Sequence, residues 1–384
     1  MMKFLYPFLS LFLIFSSTDT KAQSSSFFGK LRDKFRTEST VASYVFKNGA
    51  IYFGDVKSGR PNGWGKTIYK NGDTYEGEYN RGNRQGYGIL KLVDGEKYEG
   101  EWKDNQESGW GNFYYLNNNH YSGEWKNNSQ DGEGTMYYHN GDKYVGTWIK
   151  NKRSGRGTYS WLNGSQYTGE WKDDKKDGFG TIRWDDGSSY EGTWKNDARN
   201  GRGSFNYLHG DKYIGDWVND VQHGKGIYEF HSGDRYEGAY LQGERTGQGV
   251  YYYANGDKYV GQFRKGVQDG EGVFTWQNGS IYSGQWKANN REGKGSYIWS
   301  NGDTYEGDWV NNQPEGKGVL TLTNGSVYTG EFKDGLENGY GILVDADGNK
   351  FEGTFAEGKK DGEFTETDKA GKVVKTSYSK GRRK

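Results

Sequence analysis

The residues of this chain that could do chemistry are one glycine-rich stretch, five histidines and many carboxylates. Gly63-Trp64-Gly65-Lys66-Thr67 has the ending of a phosphate-binding loop, in which backbone N–H groups and a lysine cradle a nucleotide. The opening glycine of such a loop falls on Arg60, and neighbouring stretches carry the same Gly-x-Gly without Lys-Thr. Nucleotide binding is therefore not expected. Asp345-Ala346-Asp347-Gly348 begins like a calcium loop, but the other oxygen ligands and the closing bidentate glutamate are missing. A turn is the better reading. His120, His139, His209, His223 and His231 show no i, i+4 pair and no Cys/His spacing of a zinc site. Only His209 and His231, in corresponding turns, are placed to approach one another. The carboxylates recur in rows, and none forms a distinguished pair of the kind that flanks a glycosidic bond. No nucleophile stands out. The expectation is a protein that is not an enzyme, with no catalytic residue, no cofactor and no metal site.

These residues sit in a strict repeat. An aromatic ring opens each 23-residue unit at Tyr52, Tyr75, Tyr98, Tyr121, Tyr144, Tyr167, Tyr190, Tyr213, Tyr236, Tyr259, Tyr282, Tyr305, Tyr328 and Phe351. A period kept without insertion means one supersecondary unit stacked on copies of itself. In the unit Tyr167 to Ser189, the segment Tyr167-Thr-Gly169-Glu-Trp171 alternates with the period of a strand, which puts the two rings and Gly169 on one face. Gly178, Gly180, Ile182 and Trp184 share one side of the second segment. Asp186-Gly187 closes the unit, as Asn71-Gly72, Asn140-Gly141, Asn255-Gly256 and Asn301-Gly302 close others, and the pairs Asn-Gly and Asp-Gly favour a tight primed turn. Each unit reads as a β-hairpin. Its glycines either turn the chain or leave slots that rings cover.

Trp102, Trp125, Trp148, Trp171, Trp194 and Trp217 hold one position in consecutive units and should stack as a ladder across the sheet, with Tyr159, Trp161, Trp184, Phe205 and Tyr207 filling in from the second strands. The candidate partner-binding face is the set of accessible edges of Trp125, Trp148, Trp171, Trp194 and Trp217. On the other face Glu78, Glu101, Glu124 and Glu170 form one row and Lys103, Lys126, Lys172 and Lys195 another. The expectation there is a solvated face whose two rows neutralise each other.

Residues 1–22 read as a secretory signal peptide: Met1-Met2-Lys3, an apolar run from Phe4 to Phe15, and a cut after Ala22 that leaves Gln23 as the mature start. Residues 23–43 read as a linker in which Phe27, Phe28, Leu31 and Phe35 would fall on one side of a short helix, expected as a cap for the first strand, with a membrane-surface helix as the alternative. The repeat array runs over 44–363, opening on a truncated unit at Tyr44 to Ile51. Residues 364–384 are expected to be a basic C-terminal tail carrying Lys380, Arg382, Arg383 and Lys384. Lys and Arg balance Asp and Glu at 51 each, so no global field steers the chain to nucleic acid. The absence of cysteine excludes disulfides and thiolate metal sites. Aliphatic residues are too scarce for an ordinary core, so aromatic rings must supply the buried area.

The units YEGEYNRGNRQGYGILKLVDGEK (Tyr75 to Lys97) and YTGEWKDDKKDGFGTIRWDDGSS resemble the MORN repeat, the "membrane occupation and recognition nexus". The resemblance extends over nearly all of Tyr52 to Gly362. It implies an all-β fold, an elongated, twisted, single-layer antiparallel sheet of about 14 tandem hairpin repeats. It also implies a scaffold that binds proteins or dimerises, sometimes near membranes. Some members carry the repeats beside a lipid kinase domain; the residues after this array are too few for one. The expected function is an exported scaffold, periplasmic, extracellular or envelope-associated. It would bind a protein partner or itself as a homodimer. The alternatives are a glycan of the cell envelope and a peripheral membrane contact through the flanks.

Overall fold

The computed structural model describes residues 44–384, so the signal peptide and the capping helix expected in 1–43 lie outside the described residues. The described chain is all-β, with thirty-one strands, antiparallel pairing and no helix. It falls into two compact units. One comprises described residues 44–139 with Trp148–Asn151; the other comprises Asn140–Thr147 with Lys152–Lys384.

Both units are built from the same hairpin. A seven-residue strand such as Gln166–Lys172 runs into a nine-residue strand such as Lys175–Arg183. The two-residue difference is absorbed at one place. Gly169 faces Gly180, and Trp171 faces Lys176, so Glu170 alone spans Asp177, Gly178 and Phe179. This bulge bends the strand, and the bend recurs in both units, for example between Gly77 and Tyr79 and between Gly192 and Trp194.

The tight primed turn expected at the Asn-Gly and Asp-Gly pairs is not found there. Asp186 is not in a left-handed conformation; only Gly187 is, at φ 91°. Gly187 N–H donates to Trp184 O, and Trp184 N–H donates to Ser188 O. The Asp-Gly and Asn-Gly pairs thus close wider loops, a turn followed by a glycine bulge. The tight primed turn lies at the other end of the hairpin, where both Asp173 (φ 48°) and Asp174 (φ 70°) are left-handed. Asn and Asp tolerate that conformation better than other side-chain-bearing residues.

The second residue of the tight turn also stitches one repeat to the previous one. Asn105, Asn128, Asp174, Asp197, Asp220, Asn289 and Asn312 each accept, through Oδ1, the N–H of the residue 21 positions earlier. Where that earlier residue is proline and has no N–H to give, at Pro61 and Pro314, the turn residue is glycine, Gly82 and Gly335. The loop end has its own stitch. Asp73, Asp142, Asp211, Asp234, Asp257 and Asp303 accept the backbone N–H of the residue 20 positions later.

Residues 364–384, expected as a basic tail, continue the second unit instead. Val373–Ser379 pairs with Lys359–Thr367, and Arg382–Arg383 pairs with Tyr378 and Ser379. Phe364 and Tyr378 are buried and meet edge to face at 5.2 Å. Buried rings, not basic charge, decide the fate of this segment.

Candidate binding surface

The aromatic face is assembled around a column of glycines. In the second unit Gly157 pairs Gly169, which pairs Gly180, then Gly192 and Gly203. Tyr167 is fully buried and lies over this column; a Cβ on Gly180 would stand 2.3 Å from its Oη. The Tyr167 hydroxyl donates to Glu170 O at 3.0 Å, and burial raises its pKa. The slots inferred from sequence are present, and in every repeat that opens on tyrosine that tyrosine covers its own slots.

The tryptophans do not stack on one another. Trp171 meets Tyr167 at 5.2 Å and Tyr144 at 5.4 Å, both edge to face, and Tyr167 then meets Trp194 at 5.5 Å. In the first unit the zigzag runs Tyr75, Trp102, Tyr98, Trp125, Tyr121, Trp148. Edge-to-face contact suits the ring quadrupoles better than a face-to-face stack. Each indole N–H donates to a carbonyl of the glycine column, as Trp171 does to Gly157 and Trp194 to Gly180.

The five tryptophans singled out as a binding face are therefore core residues. Trp125, Trp148, Trp171, Trp194 and Trp217 are 2–6% exposed. Trp171, Trp194 and Trp217 lie beneath cationic side chains of the preceding repeat, which the sequence alone does not single out. The Arg153 guanidinium sits 4.4 Å from the Trp171 ring, Lys176 Nζ 4.1 Å from Trp194, and Arg199 4.3 Å from Trp217. Arg153 and Arg199 are held in place by Asp174 and Asp220 at 3.1 and 2.9 Å. A cation over a ring face is favourable by about 0.5–2 kcal/mol. At the equivalent sequence position, eighteen residues before Trp125, the first unit has Glu107, whose carboxyl pKa burial raises to about 7 while Arg84 opposes the shift.

The accessible rings form a different stripe, beside the loops. Trp161, Trp184, Tyr207, Phe230, Tyr253, Trp276 and Trp299 recur every 23 residues and are half-buried. They zigzag with Tyr159, Phe205, Tyr228, Tyr251, Phe274 and Tyr297 at 4.3–5.9 Å. Leu162 and Leu208 beside the stripe are 74% and 57% exposed. Asp142, Asp211 and Asp234 orient it by accepting the hydroxyls of Tyr159, Tyr228 and Tyr251. In sequence Trp161, Trp184 and Tyr207 read as filler from the second strands; for Trp161 and Tyr207 the clue to exposure is the leucine that follows each in a loop, Leu162 and Leu208.

On the polar face no ion pair joins the Glu78 row to the Lys103 row among the described residues. The acidic position instead satisfies the bulge: Glu78, Asp216, Gln262, Gln285 and Asp308 each accept the N–H of the residue nine positions on. In the second unit this face holds a trough of about 1000 Å³ lined by Glu271, Lys294, Glu306, Lys317, Glu331 and Tyr340 over a glycine floor. Among the described residues no group of three or more His or carboxylate side chains is placed to hold a metal ion. No described helix is long and apolar enough to cross a membrane.

This is a tandem β-hairpin repeat protein, and the hairpins of each unit pack around rings and glycines. The family model of the MORN repeat matches it in thirteen consecutive segments from 52–74 to 328–350, and the chain belongs to the MORN repeat family. No curated protein matches it. Among solved structures it is similar to the TCP10 domain of Danio rerio CPAP in complex with a peptide of STIL. That match has 12% identity, covers 63% of this chain and 92% of the other, and has a TM-score of 0.30. It is also similar to the TCP domain of Drosophila melanogaster SAS-4 in complex with a proline-rich motif of Ana2, at 14% identity, 46% and 85% coverage and a TM-score of 0.24. Virginiamycin B lyase from Staphylococcus aureus matches at 10% identity, 76% and 94% coverage and a TM-score of 0.13. At such scores these likenesses carry no argument about function.

Proposed function

We propose that this chain is an exported, non-enzymatic scaffold that binds a second copy of itself or another protein along its ring-lined face. Trp125 and Trp148 in the first unit, and Trp171, Trp194 and Trp217 in the second, act as its rigid floor. In the second unit the contact is made by the half-buried stripe from Trp161 to Trp299. The observation that carries this reading is that stripe: large rings, pre-ordered by ring contacts and by carboxylates, left open beside exposed Leu162 and Leu208. Rings fixed before binding lose little entropy on association, and aromatic anchors dominate interface energies. The test replaces Trp184, Trp276 and Trp299 by serine together in the full chain and compares its self-association and partner capture with the parent. Loss of both at unchanged secondary structure supports the reading; full retention overturns it. An envelope glycan is the second reading, favoured by the same partly open indole faces. Retention on insoluble envelope polysaccharide at high salt would select it.

A further inference from the structure

The open stripe of the second unit has a period and a polarity of its own. Its half-buried rings, from Trp161 to Trp299, recur once per hairpin. Two strands separate each from the next, which at the spacing of paired strands is about 9.5 Å. The rings are tilted by 33–54° against the second-strand rings that lie between them, so wedges rather than a flat platform repeat along the stripe. The polar atoms of the stripe are hydrogen-bond donors. Core tryptophans such as Trp171 and Trp194 direct their indole N–H into the glycine column, whereas those of Trp161, Trp184, Trp276 and Trp299 meet no acceptor among the described residues. Tyr207 and Tyr253 accept from the Nε2 of Gln222 and Gln268 at 3.2 and 2.9 Å, which leaves each hydroxyl hydrogen to donate. The hydroxyls of the intervening Tyr228 and Tyr251 are already committed to Asp211 and Asp234.

We propose that the stripe docks a proline-rich segment of a different protein, lying across the strands as a polyproline II helix; this rests on the reading that the stripe is the contact surface. Polyproline II has three residues per turn and rises 3.1 Å per residue, so every third side chain returns to the same face after about 9.3 Å. That is the repeat of the rings to within a few tenths of an ångström. A strand repeats after about 6.8 Å and an α-helix after about 5.4 Å, so neither falls in step. Proline offers a carbonyl acceptor and no N–H, which complements a row of donors, and a chain already held extended loses little freedom on docking. The three prolines of this sequence, Pro7, Pro61 and Pro314, are far apart, so the segment belongs to another protein. Docking of this kind and self-association use the same rings and exclude one another.

Fluorescence anisotropy on the full chain, with labelled decaproline and a labelled Gly-Ser decamer, tests the assignment. Decaproline should bind with little dependence on salt, since no charge is involved, and the Gly-Ser peptide should not. Trp184→Ser, Trp276→Ser and Trp299→Ser together should weaken decaproline binding at least about thirtyfold. Replacing the same three residues by phenylalanine keeps the rings and removes the N–H donors, and Phe230 already holds this position in its own repeat. That variant should fold as the parent does and bind at least about fivefold more weakly. No decaproline binding, equal binding of the Gly-Ser peptide, or undiminished binding in either variant would overturn the proposal. Light scattering on the parent and the serine variant is read separately: self-association that depends on the stripe, without decaproline binding, overturns this inference and leaves the stripe as the contact surface.

Discussion

Replacing Gly180 by alanine adds one methyl group where the structure has no room for it. The backbone of Gly180 is not left-handed, so alanine is acceptable there conformationally. The cost is steric: the new Cβ would lie 2.3 Å from Tyr167 Oη and 2.6 Å from its Cζ. Tyr167 is fully buried and hydrogen-bonded to Glu170 O, so its ring must shift against Trp171 and Trp194. Overpacking of this kind costs about 1–3 kcal/mol, and the strained hydroxyl contact adds about 1 kcal/mol. The total is about 2–4 kcal/mol. Gly187→Ala is the contrast, since nothing lies within 4 Å of its Cβ but φ is +91°; the left-handed backbone alone costs about 1–2 kcal/mol. Urea unfolding of the full chain, with hydrogen exchange at Gly169 and Glu170 as the local readout, should rank Gly180→Ala below Gly187→Ala. The chain contains a related exchange. Where the repeat opens on Phe351, which is only half-buried, position 364 carries phenylalanine in place of glycine, and its buried ring fills the slot from the other strand. A Gly180→Ala variant as stable as the parent, or more stable than Gly187→Ala, would refute the reasoning.

Trp171→Ala should cost about 3–5 kcal/mol, whereas Trp171→Phe should be milder because Phe263 and Phe332 are buried in the same position of other repeats; thermal unfolding separates the two. Glu107→Gln should stabilise the chain at pH 8 and change little at pH 4. Burial raises the Glu107 pKa to about 7, so its protonated form favours folding fully below the ordinary carboxyl pKa. That stability is lost as pH rises towards 7, by up to about 3 kcal/mol, and urea midpoints at the two pH values check it. Asp220→Ala should lose about 1–2 kcal/mol, because Asp220 accepts from Arg199 N and Nε and is left-handed at φ 68°. Asp220→Gly should lose less, as Gly243 and Gly266 hold the same turn elsewhere; unfolding midpoints rank the pair.

Much of this architecture was legible in the alternation of Tyr167, Gly169 and Trp171, because a half-buried strand writes its burial into every second residue. The hairpin and the ring-covered glycines followed from it. The Asn-Gly and Asp-Gly pairs were misread because such a pair satisfies both a primed turn and a glycine-bulged loop, and the backbone bonds that choose between them, Gly187 N–H to Trp184 O and Trp184 N–H to Ser188 O, leave no mark on the residue types. The exposure of Trp171 was misjudged for a related reason. What covers it is Arg153, eighteen positions earlier and anchored by Asp174, a contact with no local signature. Glu170 is exposed, as its row suggested, but the bond that Glu78 accepts from Tyr87 N–H was not legible, because the bulge arises only when strands of seven and nine residues are paired. The residues after Gly362 lack the tyrosine that marks a repeat, yet Phe364 and Tyr378 supply the rings that keep the hairpin.

The central claim is that the open stripe of rings makes the scaffold's contact, foremost with a second copy. Multi-angle light scattering across a concentration series, on the parent chain and on the Trp184→Ser, Trp276→Ser, Trp299→Ser variant, addresses it directly. The account predicts a mass that rises with concentration for the parent and stays at that of one chain for the variant. The same mass for both proteins at every concentration would contradict it.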